Sequence, residues 1–419
     1  MPSVEGLGAR KAALRMLDAI LRKGQTLDST SHFARDLPPA DRSLALAIAG
    51  ETLRRLPDLD ALIDSATRQR LPDDSKARMV LRLALAQKIG LGTPEHALVA
   101  TALPLVEGGP RRLVHGVLGT LLRRGITVSD APALAETVEQ RWAEAWGADV
   151  VEAARRQIAK RPPLDLTFVD EAEAQAFSEA NHGCSLAPWN VRIDSASVTD
   201  LPGFGEGRWW VQDLAASLPA RLIPAPATDV LDLCAAPGGK TMQIAAAGHQ
   251  VTAVDASQSR LGRLRENLGR THLEAKLVTA DALTWEPNVQ YDAILLDAPC
   301  SATGTFRRHP EVLYRARTDI IASSVELQTQ LLERAAQWLN PGGALVYAVC
   351  SLEPQEGEEI VTAFLAAHPD FAIDAPKACE LPEFATPTPE GWVRILPGVL
   401  AEEGGLDGFF MARLVRRAG

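Results

Sequence analysis

The sequence predicts two bodies of different class: an all-α N-terminal bundle, then a doubly wound, mostly parallel α/β domain. Three observations carry this. Over residues 1–125 apolar side chains recur at helical spacing, with no strand-like alternation between them. From 228 onward, short apolar runs alternate with amphipathic helical stretches, the rhythm of strand–helix–strand units. Charge divides in the same way. Residues 1–160 carry 23 Lys and Arg against 19 Asp and Glu, which leaves 20 against 34 for the remainder. A chain of 419 residues is long enough for about two to three domains, each with its own core.

In the first body, expected over 1–130, segment 8–22 places Leu14, Leu17, Ile20 and Leu21 on one stripe opposite Arg15 and Arg22. Segment 41–56 opens with Asp41, a candidate N-cap, and carries Leu44, Leu46, Ile48 and Leu53. Further helical runs follow at 76–90, 94–106 and 110–124. The last has Arg111, Arg112, His115, Arg123 and Arg124 at its two ends; the ordinary reading of such a set is a solvated face, the sharper one a nucleic-acid contact. Residues 131–227 read as a linker helix and a small α/β element. A charged helix over 132–160 stops at Arg161-Pro162-Pro163, and extended pieces follow at 163–169 and 208–214.

The third part, 228–419, has strand candidates at 229–234, 250–256, 275–280, 291–298 and 343–350. Helical stretches fit between and after them at 239–247, 257–268, 322–338 and 356–367. In such sheets ligands bind beyond the carboxyl ends of the strands, and each motif below falls at one of those ends.

Composition excludes several classes. The chain is 46% hydrophobic with 5% aromatics, and its mean hydropathy is −0.03, ordinary values for a globular protein. No apolar run approaches the roughly 18 residues that a membrane span needs. The opening MPSVEGLGARKAALRML lacks the order of a secretory signal. Five scattered cysteines without a CxxC pair predict a reducing cytoplasm, no disulfide framework and no metal site. The formal charge of −10, taken alone, speaks against a nucleic-acid partner.

Asp232-Leu-Cys234-Ala235-Ala236-Pro237-Gly238-Gly239-Lys240-Thr241 follows the first of these strands and opens a helix. Its glycines permit a tight turn and close approach of a ligand to helix N–H groups. A phosphate-binding P-loop ending at Gly239-Lys240-Thr241 would need glycine at 234, where cysteine stands. The dinucleotide fingerprint is absent too. Acids recur instead: Asp255 ends the second strand, Asp281 follows the third and Asp297 ends the fourth. A carboxylate after the second strand suits a ribose diol, and a ring of acids attracts a cation while repelling triphosphate. A sulfonium cofactor, S-adenosylmethionine, fits this better than NAD or ATP. The plainer reading makes Asp255 and Asp281 helix-capping residues.

Cys300 lies at the end of the fourth strand, in Asp297-Ala-Pro-Cys300-Ser301, and Cys350-Ser351 ends the fifth. If the sheet winds as expected, the two thiols converge beside the cofactor. Isolated cysteines are usually small core hydrophobes, the reading for Cys184, Cys234 and Cys379.

DLCAAPGGKT, DAPCSATGT and YAVCSLEPQEGEEIV together resemble the RNA (cytosine-5)-methyltransferases of the Nol/Nop/Sun class. WWVQDLAA (209–216) and DGFFMARL (407–414) fit the same class. The helical half resembles a NusB-like RNA-binding domain, and this pairing is similar to the layout of the RsmB-type bacterial 16S rRNA methyltransferases. The likeness spans nearly the whole chain and is most specific in 229–366 and 407–414. It implies a Rossmann-like, S-adenosylmethionine-dependent methyltransferase acting on 16S rRNA, with no DNA or membrane partner and a monomeric chain. It assigns Cys350 as the nucleophile on C6 of the target cytosine and Cys300 to loss of the C5 proton and release of Cys350. Asp297 would hold the polar edge of the base. Cys234, Ala235, Ala236, Pro237, Gly238, Gly239, Lys240, Asp255, Asp281 and Asp297 would line the cofactor site, with Lys240 near the Asp297–Cys300 loop.

A Pro-Cys pair carries the nucleophile in DNA cytosine-5 enzymes, so Cys300 competes for that role; the second thiol favours Cys350. Arg307, Arg308, His309, Arg315 and Arg317 form a basic cluster just past Cys300, a candidate RNA contact or a solvated face. The same chemistry on tRNA or another rRNA site, or a non-catalytic assembly factor on a decayed fold, are the alternatives. The intact thiols and glycine turn argue against decay.

Overall fold

The computed structural model describes residues 5–194 and 197–418; Met1–Val4 of the opening segment lie outside the described residues. Cα packing divides the chain into two units. The first takes the described residues up to Arg161 together with Phe306–Arg315, and the second Pro162–Thr305 with the described residues from Ala316. The boundaries expected at 130/131 and 227/228 are thus drawn differently by packing. The 132–160 segment folds with the helical body, and the small α/β element folds with the large sheet.

The first unit is helical throughout, with principal helices Leu7–Lys23, Pro39–Arg54, Leu56–Ser65, Lys76–Gly90, Glu95–Ala102, Gly108–Arg124, Glu136–Trp146 and Ala148–Ile158. Lys76–Gly90 is the central one: every residue from Ala77 to Gln87 is buried. That burial takes in two arginines, and the neighbouring helix neutralises both. Arg78 bonds Asp64 at 2.7 Å and Arg82 bonds Asp60 at 2.7 Å, the pairing a buried charge requires. Asp41 is not the N-cap expected of it. The helix begins at Pro39, where a missing N–H costs nothing, and Asp41 sits in its first turn. The single helix expected over 132–160 breaks at Gly147, whose φ of 87° ends one helix and starts the next.

Residues 306–315 belong to this unit although they come from the middle of the α/β sequence. Phe306 packs on Trp142 with ring centroids 5.4 Å apart. The Leu27 N–H donates to Glu311 at 2.9 Å, the Tyr314 hydroxyl to the Leu53 carbonyl at 2.7 Å, and Arg315 Nε to the Gly24 carbonyl at 2.7 Å.

The second unit holds strands β1 (Leu164–Phe168), β2 (Asn190–Ile193), β3 (Trp209–Val211), β4 (Asp229–Leu233), β5 (Gln250–Asp255), β6 (Lys276–Thr279), β7 (Tyr291–Asp297), β8 (Leu339–Val349), β9 (Phe371–Ile373), β10 (Val393–Ile395) and β11 (Phe409–Arg416). The first three form an antiparallel sheet in the order β2-β1-β3, pinned by a buried Asp165–Arg192 pair at 2.7 Å. The large sheet runs β10-β11-β8-β7-β4-β5-β6, with β9 on β11. The strands from β8 to β6 are mutually parallel, and β9, β10 and β11 are antiparallel additions. The five parallel strands are those the sequence predicts; the antiparallel edge was not expected. Among the described residues no helix is long and apolar enough to cross a membrane.

Candidate active site

Because β7, β4, β5 and β6 are parallel and adjacent, their carboxyl ends share one edge of the sheet, and the loops that leave it build the site. β4 is buried from Val230 to Leu233 and apolar there apart from Asp232. At Cys234 the chain turns into the left-handed region, with φ 59°. The Ala235 N–H then donates to the Val254 carbonyl at 3.1 Å, and the Ala236 N–H to Asp255 at 3.2 Å. The loop is thereby stitched to the end of β5. Gly238 has φ 110°, and a Cβ there would run into Leu264, so this position requires glycine sterically. The helix Gly239–Ala246 starts immediately afterwards. Gln212, in the WWVQDLAA run, braces it by donating to Gln243 at 2.7 Å.

Asp255 is buried and closes this cradle: it also accepts from the Ser257 N–H at 2.8 Å and from Arg260 at 2.9 Å. Asp281 is exposed and accepts from the Leu283 N–H at 3.0 Å. Its loop lies beside β5 because the Ala280 N–H donates to the Asp255 carbonyl at 3.2 Å. Neither acid is the helix cap weighed for it: Ser257 caps the helix Gln258–Thr271 that follows Asp255, and Asp281 opens a turn with no helix after it. Lys240 reaches Asp297 at 2.7 Å and lies 5.2 Å from the Phe409 ring centroid, beside the Asp297–Cys300 loop as expected.

Burial pushes the Asp232 carboxyl up to about 7 against the opposing hydrogen bond from Thr241, and one of its oxygens is buried without a partner. Burial first, then the carboxylates of Asp297, Asp255 and Asp232, push the Cys234 thiol up to about 12. Cys234 is therefore a neutral part of the wall. A strand-end turn of small residues, carboxylates at the ends of β5 and β7 and an unpartnered buried oxygen form a cradle that fits a cationic, ribose-bearing cofactor.

β7 and β8 pair up to Asp297 and Ala348, so the residues just beyond them must diverge from neighbouring points. Cys300 Sγ and Cys350 Sγ stand 3.5 Å apart, within hydrogen-bonding reach. The hydrogen bond to Cys350, and then burial, hold the Cys300 thiol well above its usual range. Either sulfur can be the donor in this contact.

Other expectations separate here. Cys184 and Cys379 are exposed rather than core residues. The basic cluster past Cys300 is dispersed: Arg307 is 1% exposed, Arg315 bonds the Gly24 carbonyl, and Arg317 pairs with Asp319 at 3.0 Å. Arg307 is buried because its segment packs into the helical unit, which cannot be read from local charge. The residues that sequence reasoning passed over are Ser301, Thr303, Gln328, Ser351 and Glu356, a buried polar cluster around the two thiols.

Comparison with known proteins gives the family. A family model described as 16S rRNA methyltransferase RsmB/F matches residues 219–415, and the NusB family model matches residues 7–123. A ribosomal RNA small subunit methyltransferase B of Klebsiella pneumoniae is 34% identical, over 99% of this chain and 99% of its own length. The chain belongs to the ribosomal RNA small subunit methyltransferase B family. Its Pseudomonas putida member is likewise 34% identical, across 98% of this chain and 99% of that one. Among solved structures, PH0851 superposes with a TM-score of 0.74 at 23% identity, covering 98% of this chain and 99% of the other. A methyltransferase homolog from Pyrococcus horikoshii reaches 0.57 at 26% identity, covering 71% of this chain and 98% of that one. The molecule is an S-adenosylmethionine-dependent methyltransferase with an N-terminal NusB-family domain.

Proposed function

We propose that this family member methylates C5 of a cytosine in 16S rRNA through a covalent bond between Cys350 and C6 of the base. The observation that supports it is the pair of thiols 3.5 Å apart, just beyond the paired ends of β7 and β8. The attacking group must be a thiolate, and the family resemblance gives that role to Cys350. S-Adenosylmethionine supplies an electrophilic methyl group. The chain's own residues do the rest.

Residues 234–240 with Asp255, Asp281 and Asp297 hold the cofactor. Asp297, oriented by Lys240 at 2.7 Å, binds the polar edge of a cytosine splayed out of its stack. Cys350 Sγ adds to C6, and C5 becomes electron-rich enough to take the methyl group. Cys300 then assists removal of the C5 proton. The C5–H electron pair becomes the C5–C6 double bond, and the C6–S pair leaves on Cys350. Both thiols must stay reduced, which suits a cytoplasmic enzyme. A monomer suffices, since every residue named lies in one unit of one chain.

The roles are separable by experiment. Cys350→Ala should abolish methyl transfer from labelled cofactor. Cys300→Ala should accumulate a denaturant-resistant protein–RNA adduct, because release is blocked after addition. An adduct in the Cys350 variant instead would reverse the assignment. Bisulfite sequencing of RNA from cells with and without the protein gives the address, and an unmethylated 16S rRNA would overturn the substrate reading.

A further inference from the structure

Beyond Ala298, whose N–H donates to the Ala348 carbonyl at 2.9 Å, the sheet ladder no longer holds the chain that carries Cys300. A different device does. Glu356 follows Cys350 by six residues and is completely buried. One of its carboxylate oxygens accepts from the Ser301 N–H at 2.8 Å and from Gln328 Nε2 at 3.1 Å. The other accepts from the hydroxyls of Ser301 and Ser351. Gln328 Nε2 also donates to the Pro299 carbonyl at 2.8 Å. The residue after Cys300 and the residue after Cys350 therefore both bond one carboxylate directly, and Pro299 is tied to it through Gln328.

Glu356 is itself fixed, since the Tyr347 hydroxyl donates to its main-chain carbonyl at 2.6 Å. Arg394 holds the Ser351 carbonyl at 2.5 Å while pairing with Glu358 at 2.6 Å. The Gly304 N–H reaches the Cys350 carbonyl at 3.0 Å, and Thr303 accepts from the Leu352 N–H at 2.9 Å. Burying a carboxylate without a cation is costly, and an apolar residue would fill the space with less penalty. What the carboxylate supplies is two acceptor oxygens that tie two separate loops to one point.

We propose that Glu356 is a positioning residue that sets the separation and orientation of the Cys300 and Cys350 thiols. The inference rests on the two-thiol reading above. Addition at C6 and proton loss at C5 occur on adjacent atoms of one base, so both sulfurs must be placed to a fraction of an ångström. Misplacement by about 1 Å can cost roughly a hundredfold in rate.

The test is Glu356→Gln in the full chain, assayed by single-turnover methylation of 16S rRNA. The amide keeps the shape but offers one acceptor oxygen in place of two. The maximal rate should fall by about a hundredfold, with RNA KM and cofactor affinity within twofold of the parent. In a Cys300→Ala background, adduct formation should slow by a similar factor. A rate within threefold of the parent overturns the proposal, as does a loss confined to KM. If Glu356→Gln melts early, Ser301→Ala decides: it leaves the carboxylate intact, and an unchanged rate overturns the clamp. Full activity of Cys350→Ala would sink the two-thiol reading itself. An inactive Cys350→Ala beside an active Glu356→Gln would remove the clamp alone.

Discussion

Asp232 couples the cradle to pH. Its folded-state pKa is raised to about 7 from an ordinary 3.8, chiefly by burial. A raised acid favours folding while it is protonated in both states. Its contribution is fully present below the unfolded value and is lost as pH rises through about 7. Chemical-denaturation midpoints should therefore decline between about pH 4 and 7 by an amount that Asp232→Asn removes. Parallel profiles for parent and variant would refute this. Residues of this kind divide by legibility. The glycine turn and the two strand-end thiols are visible in sequence because their types are unusual at those points. Glu356 is not, since in a Glu-Gly-Glu-Glu run at a helix start a carboxylate reads as solvated charge. Only the fold reveals that donors from Ser301 and Gln328, distant in sequence, join that of Ser351 around it.

Elements show the same divide. The five parallel strands read directly because they alternate with helical stretches, even the four-residue β6, and the central helix Lys76–Gly90 is found at its expected ends. β2, β9 and β10 have three or four residues each, too short for periodicity to register. The segment Phe306–Arg315 is hidden for another reason: sequence proximity to Cys300 suggests the α/β domain, yet its side chains are satisfied in the helical unit. Phe306 is fully buried against Trp142. Phe306→Ala should therefore destabilise the helical unit by about 3–5 kcal/mol, the usual loss for a buried Phe truncated to Ala. Urea unfolding followed by tryptophan emission measures it, and a loss below about 1 kcal/mol would show that the segment is a passive passenger.

For the molecule as a whole, the net charge of −10 is a sum over unlike parts. The acidic excess lies in residues 161–419, and of the basic cluster past Cys300, Arg307 is buried while Arg315 and Arg317 are bonded within the protein. The helix Gly108–Arg124 is then the place to test for an RNA contact against a solvated face. Arg111, Arg112, His115, Arg123 and Arg124 are all exposed along it. No ion pair involves any of these five among the described residues, although Arg124 bonds the Ser65 carbonyl at 3.2 Å. Long-range attraction from so acidic a chain is weak, so binding must depend on such local patches, each cation displacing counterions from a phosphate. Replacing Arg111, Arg112 and Arg123 together by Ala should weaken binding to a 16S rRNA fragment. The slope of log affinity against log salt should become shallower by roughly 0.7 to 0.9 for each phosphate that the variant no longer neutralises. Cofactor affinity should not change, because every residue of the cradle lies in the other unit. An unaltered salt slope would assign this helix to the solvated surface and move the RNA footprint elsewhere on the chain.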